Sequence, residues 1–253
     1  MDKQVVRDNG EMNARTLASE PVLLSAIPFK LEPEAVMKAM RVRKATAQIE
    51  GMVREMVEQA QAVARPKAAY RVSLVEHVDE DSVDIDGVRF TSRVLSKCLL
   101  MLNRVFPCIC TCGREIDGLV VPPDNVMRSY CLETIKTFAV AASIQFIGNH
   151  LKQTYATGQL SHMNPGEFED WPLSQQKQLF SLFGDTKKLI GVELTASYVM
   201  KPMKSRSGIY FANNEGFESC QFCPIKKCPG RRARFQPEKL KDYGVRESSG
   251  TIS

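Results

Sequence analysis

The chain is short of the residues that most often advertise chemistry: 253 residues include one tryptophan and three histidines. His77, His150 and His162 are too scattered to suggest a triad. No Gly-x-Ser-x-Gly, Gly-x-x-x-x-Gly-Lys or Gly-x-Gly-x-x-Gly pattern occurs, so hydrolase, kinase and Rossmann readings have no support. Long apolar runs are also missing. The longest, residues 138–148, is bracketed by Lys136 and Asn149 and falls far short of the ~20 residues that cross a bilayer. Residues 1–20 are polar and lack the apolar stretch of a secretory signal, so the expected location is the cytoplasm. Neither sign of charge dominates: 34 Lys and Arg stand against 29 Asp and Glu, a net +5.

With 43% hydrophobic and 25% charged residues, the composition is that of a globular protein. A chain of this length buries roughly 70–75% of its unfolded surface and needs neither disulfides nor metal to hold a core. Ile49, Met52, Val53, Met56, Val57, Ala60 and Val63 recur at helical spacing and predict a helix over 46–64, stopped by Pro66. Segments 70–75 and 83–90 alternate in character, and Asp86-Gly87 predicts a two-residue hairpin turn. A helix over 92–102, a strand over 105–112 and a long helix over 126–155 follow. Beyond them come a turn-rich loop over 158–171, a short helix from Pro172, a strand over 190–194, a loop over 201–208 and a strand over 209–211. Helices and strands are mixed without a regular alternation, so the fold class is α+β.

The eight cysteines are spread unevenly, and in a reducing compartment such clustering marks a site. Cys220, Cys223 and Cys228 fall within nine residues, two of them followed by proline, with Lys226, Lys227, Arg231, Arg232 and Arg234 nearby. Three thiols at this spacing can share one metal, first an iron-sulfur cluster and next zinc, and neighbouring cations favour thiolates. The fourth ligand has to come from elsewhere. Cys108, Cys110 and Cys112 would share one strand face and read first as core, second as a source of that ligand. The basic run points to an acidic protein surface ahead of nucleic acid, since aromatic residues near it are sparse. No general acid or base, and hence no catalytic residue, is identified.

Asn164-Pro-Gly166, the run Trp171 to Phe180, Ile190-Gly-Val-Glu-Leu-Thr195, Ser197-Tyr-Val-Met200, Pro202 and Ser205-Arg-Ser-Gly208 resemble, in order and spacing, the activation domain of cobalamin-dependent methionine synthase. The resemblance extends over about residues 25–214. It implies a single curved α+β domain with a mainly antiparallel sheet. It also implies binding of S-adenosylmethionine and methylation of reduced cobalamin carried by a partner. The partner would be a corrinoid protein or a methionine synthase lacking its own activation domain, with an electron donor such as ferredoxin or flavodoxin.

Carried over by position, His162, Asn164, Pro165, Gly166, Ser205, Ser207, Gly208 and Tyr210 would line the cofactor cleft. His162 stands where the family has an arginine that contacts S-adenosylmethionine, Glu167 where it has a tyrosine, and Ala196 where it has an acidic residue. The cysteine-rich appendage is absent from that domain. An iron-sulfur centre there would suit reductive chemistry, and a non-catalytic electron-transfer module is the alternative reading. The expected layout is a mobile arm over 1–20, the activation-like domain over 21–214, a metal-binding segment over 215–235 and a disordered tail over 236–253.

Overall fold

The computed structural model describes residues 19–122, 124–213, 216–225, 228 and 231–244. The first elements are strand β1 (Val22–Leu24) and helices α1 (Pro33–Ala39) and α2 (Ala47–Val63). Helix α2 follows the predicted period, and Thr46 caps it by accepting from the Ile49 N–H. Strands β2 (Lys67–Tyr70), β3 (Ser73–Val78), β4 (Ser82–Ile85) and β5 (Val88–Thr91) come next. Asp86-Gly87 joins β4 to β5 with both residues at positive φ (47° and 74°). Segment 70–75 is divided between β2 and β3, and β3 pairs β4 to complete a meander.

Helix α3 (Arg93–Leu99), strand β6 (Arg104–Thr111), helix α4 (Arg114–Asp117) and the long helix α5 (Val126–Tyr155) follow. The remainder is strand β7 (Leu160–Met163), helices α6 (Gln176–Ser181) and α7 (Thr186–Ile190), strands β8 (Glu193–Leu194), β9 (Met200–Lys201) and β10 (Ser205–Ala212), and helix α8 (Pro237–Asp242).

Among the described residues every strand pairing is antiparallel. Eight strands form one sheet in the order β1-β2-β6-β3-β4-β5, with β10 on the other edge of β6 and β7 beyond β10. The expectation of a mainly antiparallel α+β sheet is borne out. Strand β6 explains the two cores. Phe106, Cys108 and Cys110 point to α5, meeting Ile147 and Leu151. Val105 and Ile109 point the other way, toward α3, α6, α7, Trp171, Phe217 and Phe222. Burying each large apolar side chain contributes on the order of 2 kcal/mol.

Five expectations change. Within the expected loop over 158–171, Leu160–Met163 form strand β7, because β10 supplies their ladder partners. Residues 186–190 form a helix, because Asp185 caps the Lys188 N–H at 3.1 Å and Gly191 ends the turn at φ 79°; only Glu193–Leu194 remain strand. The expected loop over 201–208 becomes strand from Ser205, because the edge of β6 offers it hydrogen-bond partners through Tyr210. The tail is ordered in part: Pro237 starts α8, and Leu240 is buried in the main core. Residue 19 is held as well, since Ser19 Oγ donates to the Val72 carbonyl at 3.1 Å. The rest of the expected arm, residues 1–18, and residues 245–253 lie outside the described residues.

Candidate functional site

Strands β7 and β10 build the site. Their register sets His162 opposite Tyr210, with ring centroids 5.2 Å apart. Two residues on, Asn164 lies over Gly208: a Cβ there would sit 2.3 Å from Asn164 Oδ1 and 2.4 Å from the Met163 carbonyl, so only glycine permits this approach. The chain then turns at Pro165-Gly166. Gly166 adopts φ 84°, its N–H donates to the Trp171 carbonyl at 2.7 Å, and the Glu167 N–H donates to the Asn164 carbonyl at 3.2 Å.

Glu167 is a hinge pin for this loop. One carboxylate oxygen accepts the Asn164 N–H at 3.3 Å, and the other accepts Arg206 Nη2 at 2.5 Å. Arg206 shares the β10 face of Gly208 and Tyr210, opposite Cys110 on β6. Burial, aided by the Arg206 and Arg232 charges, pushes the His162 imidazole down to about 3, so it is neutral at physiological pH. Its Nε2 and the Asn164 Nδ2 are buried without a hydrogen-bond partner among the described residues. Unsatisfied groups of this kind are costly and point to a missing partner. Burial also raises the Tyr210 phenol well above its usual range, and its hydroxyl donates to the Ile144 carbonyl at 3.3 Å.

The structure thus gathers His162, Asn164, Gly208 and Tyr210 on one sheet face and hangs the Pro165-Gly166 loop at its end. Ser205 and Ser207 point to the opposite face. Ser207 Oγ is buried 3.3 Å from Gln176 Oε1, and Ser205 Oγ donates to Thr111 Oγ1 at 2.9 Å or the Pro202 carbonyl at 2.8 Å. Arg206 and Glu167 join the site with no role assigned to them from sequence. Strand alternation from Gly208 to Arg206 was the available signal, hidden by reading 201–208 as a loop.

The three C-terminal thiols behave differently. Phe217 and Phe222 pack their segment into the core, stacked at 5.4 Å. Cys220 and Cys223 are half-buried and Cys228 is exposed. No three metal-ligating side chains come together among the described residues, so this arrangement does not fit a cluster on Cys220, Cys223 and Cys228. Cys110 and Cys112, the proposed sources of a fourth ligand, are buried in core contacts.

An α+β domain with this curled antiparallel sheet is the fold of the methionine synthase reactivation domain. The solved structure of the MetH reactivation domain bound to AdoHcy matches with a TM-score of 0.55 and 13% identity, over 79% of this chain and 81% of that one. Residues 168–223 match the family described as "Vitamin B12 dependent methionine synthase, activation domain". The resemblance read from the sequence is borne out. A comparison with curated proteins finds no match.

Proposed function

We propose that the chain reactivates a corrinoid protein, such as a methionine synthase lacking its own activation domain, by methylating reduced cobalamin with S-adenosylmethionine. The observation that carries this reading is the family match over 168–223, which spans the segment ending the site loop, α6 and all of β10. The similarity in fold to an AdoHcy-bound reactivation domain supports it. One electron from a donor such as ferredoxin or flavodoxin reduces the partner's cob(II)alamin. The S-adenosylmethionine methyl group then passes to cobalt, and AdoHcy leaves.

The chain's own residues bind and orient. The Arg206–Glu167 pair holds the Pro165-Gly166 loop against β10, and Gly208 lets the backbones approach. His162 Nε2 and Asn164 Nδ2 offer polar contacts in a site largely shielded from water. No side chain needs to move a proton, because methyl transfer from a sulfonium requires none; positioning is the protein's contribution. No step passes through metal on Cys220, Cys223 and Cys228, because the thiols are not gathered with a third ligand among the described residues. The alternative of an iron-sulfur electron-transfer module has no support from this arrangement.

The test combines the full chain with a cob(II)alamin-loaded methionine synthase lacking its activation domain, a titanium(III) reductant and S-adenosylmethionine. The expected outcome is conversion of the cob(II)alamin absorption to that of methylcobalamin only when the chain is present. Equal conversion without it, with corrinoid partners of other classes giving the same result, would remove the reading.

A further inference from the structure

The cysteine-rich segment carries a pair of thiols that the function proposed above leaves unused. Phe217 and Phe222 anchor the segment in the main core, and Ser161 Oγ donates to the Phe217 carbonyl at 2.7 Å. Ser219–Phe222 form a single 3₁₀ turn. The Cys223 N–H closes it on the Cys220 carbonyl at 3.4 Å.

One guanidinium holds the loop in this shape. Arg231 Nη1 donates to the Cys220 carbonyl at 3.2 Å and the Ala233 carbonyl at 3.0 Å. Its Nη2 donates to the Cys223 carbonyl at 3.0 Å and to that of Ile225. A planar fork of donors has a fixed geometry that an ammonium lacks. Cys220 and Cys223 are therefore clamped to the same side chain and cannot drift apart while it is engaged.

The turn brings two sulfurs within bonding range. A closed four-residue turn sets its end Cα atoms within about 7 Å of each other, and a disulfide accepts about 4.4–6.8 Å. Side chains at i and i+3 of a 3₁₀ turn also lie over one another. Neither thiol is in a disulfide, and both are half-buried, so a small reagent can reach them. They are not equivalent. The Arg232 N–H points at Cys220 Sγ at 3.4 Å, a donor placed to hold charge when that sulfur attacks or leaves as a thiolate.

We propose that Cys220 and Cys223 form a dithiol–disulfide exchange centre whose oxidising substrate is a low-molecular-weight disulfide. The Cys220 thiol gives its proton to water, and its sulfur attacks one sulfur of the substrate. A mixed disulfide forms and the first substrate thiolate leaves. The Cys223 thiol then gives its proton to water and attacks Cys220 Sγ, which releases the second thiolate and closes the Cys220–Cys223 bond. Both thiolates take up protons from water. The substrate is thus reduced by two electrons to two thiols, and the protein dithiol is oxidised by two.

The test treats the full chain, purified anaerobically, with oxidised glutathione, then denatures it, alkylates it with iodoacetamide and maps its peptides by mass. In the wild type and in Cys228→Ser, Cys220 and Cys223 should lose alkylation together, without a glutathione adduct, and regain it after dithiothreitol. Cys223→Ser should trap the glutathione adduct on Cys220. In Cys220→Ser the adduct on Cys223 should form at least about tenfold more slowly. No loss of alkylation in the wild type overturns the proposal, as does a wild-type disulfide that includes Cys228 or equal adduct formation at all three thiols. So does iron or zinc that co-purifies with the wild type and is absent from Cys220→Ser, which would return the thiols to a metal. The wild-type map decides the pairing even where a variant fails to fold.

Discussion

His162 is an imidazole that cannot hold a proton where it sits. Its folded-state value of about 3 lies below the ordinary one near 6.5, so between those limits the unfolded chain binds a proton that the folded chain does not. The resulting stability is fully present above pH ~6.5 and is lost as pH falls toward 3, at up to about 1.4 kcal/mol per unit. Urea unfolding at pH 7 and pH 5 checks this. The wild type is expected to lose about 2 kcal/mol more than His162→Gln across that interval; equal losses would assign the dependence to other groups.

The cysteines divide just as sharply. Burial lifts the Cys112 thiol to about 12 and that of Cys131 to about 11. A hydrogen bond with Cys110, then burial, raises Cys108. Alkylation needs a thiol the reagent can reach, so iodoacetamide at pH 8 should label the exposed Cys228 and the half-buried Cys220 and Cys223 in the native protein. Cys108, Cys110, Cys112 and Cys131 should react only after denaturation. Peptide mass mapping reads the difference, and comparable native rates in the two groups would contradict it.

Elements whose signals are local were legible in the sequence. The apolar period of α2, the Asp86-Gly87 turn and the full length of α5 follow from spacing and turn chemistry over a few residues. Strand β7 was not legible, because its four residues are held by β10 about fifty positions away. Helix α8 was missed because a polar composition hides one decisive side chain. Leu240 is 8% exposed and joins the main core, while Tyr243 packs edge-on to Phe222 at 5.0 Å. Leu240→Ala is therefore expected to destabilise the protein by roughly 2–3 kcal/mol, measured by denaturant unfolding. A disordered tail would show no change.

Across the whole molecule, the candidate site was half visible. His162, Asn164, Gly166, Gly208 and Tyr210 were reachable through the family resemblance. The pairing of Arg206 with Glu167 depends on the register of β10 and on the turn after β7, which no local pattern encodes. Ser205 and Ser207 show the converse: motif position placed them in the cleft, and strand alternation turned them away.

The central ladder has one further consequence, for synthesis. Strand β6 meets β2 and β3 along one edge soon after it is made, but its other edge waits for β10, roughly a hundred residues further along. At ordinary translation rates that is about 5–20 seconds during which a nascent chain presents an unpaired edge rich in valine, phenylalanine, isoleucine and cysteine. The ribosome-bound intermediate is thus a natural client for chaperones, and a stalled transcript would leave a product prone to aggregate.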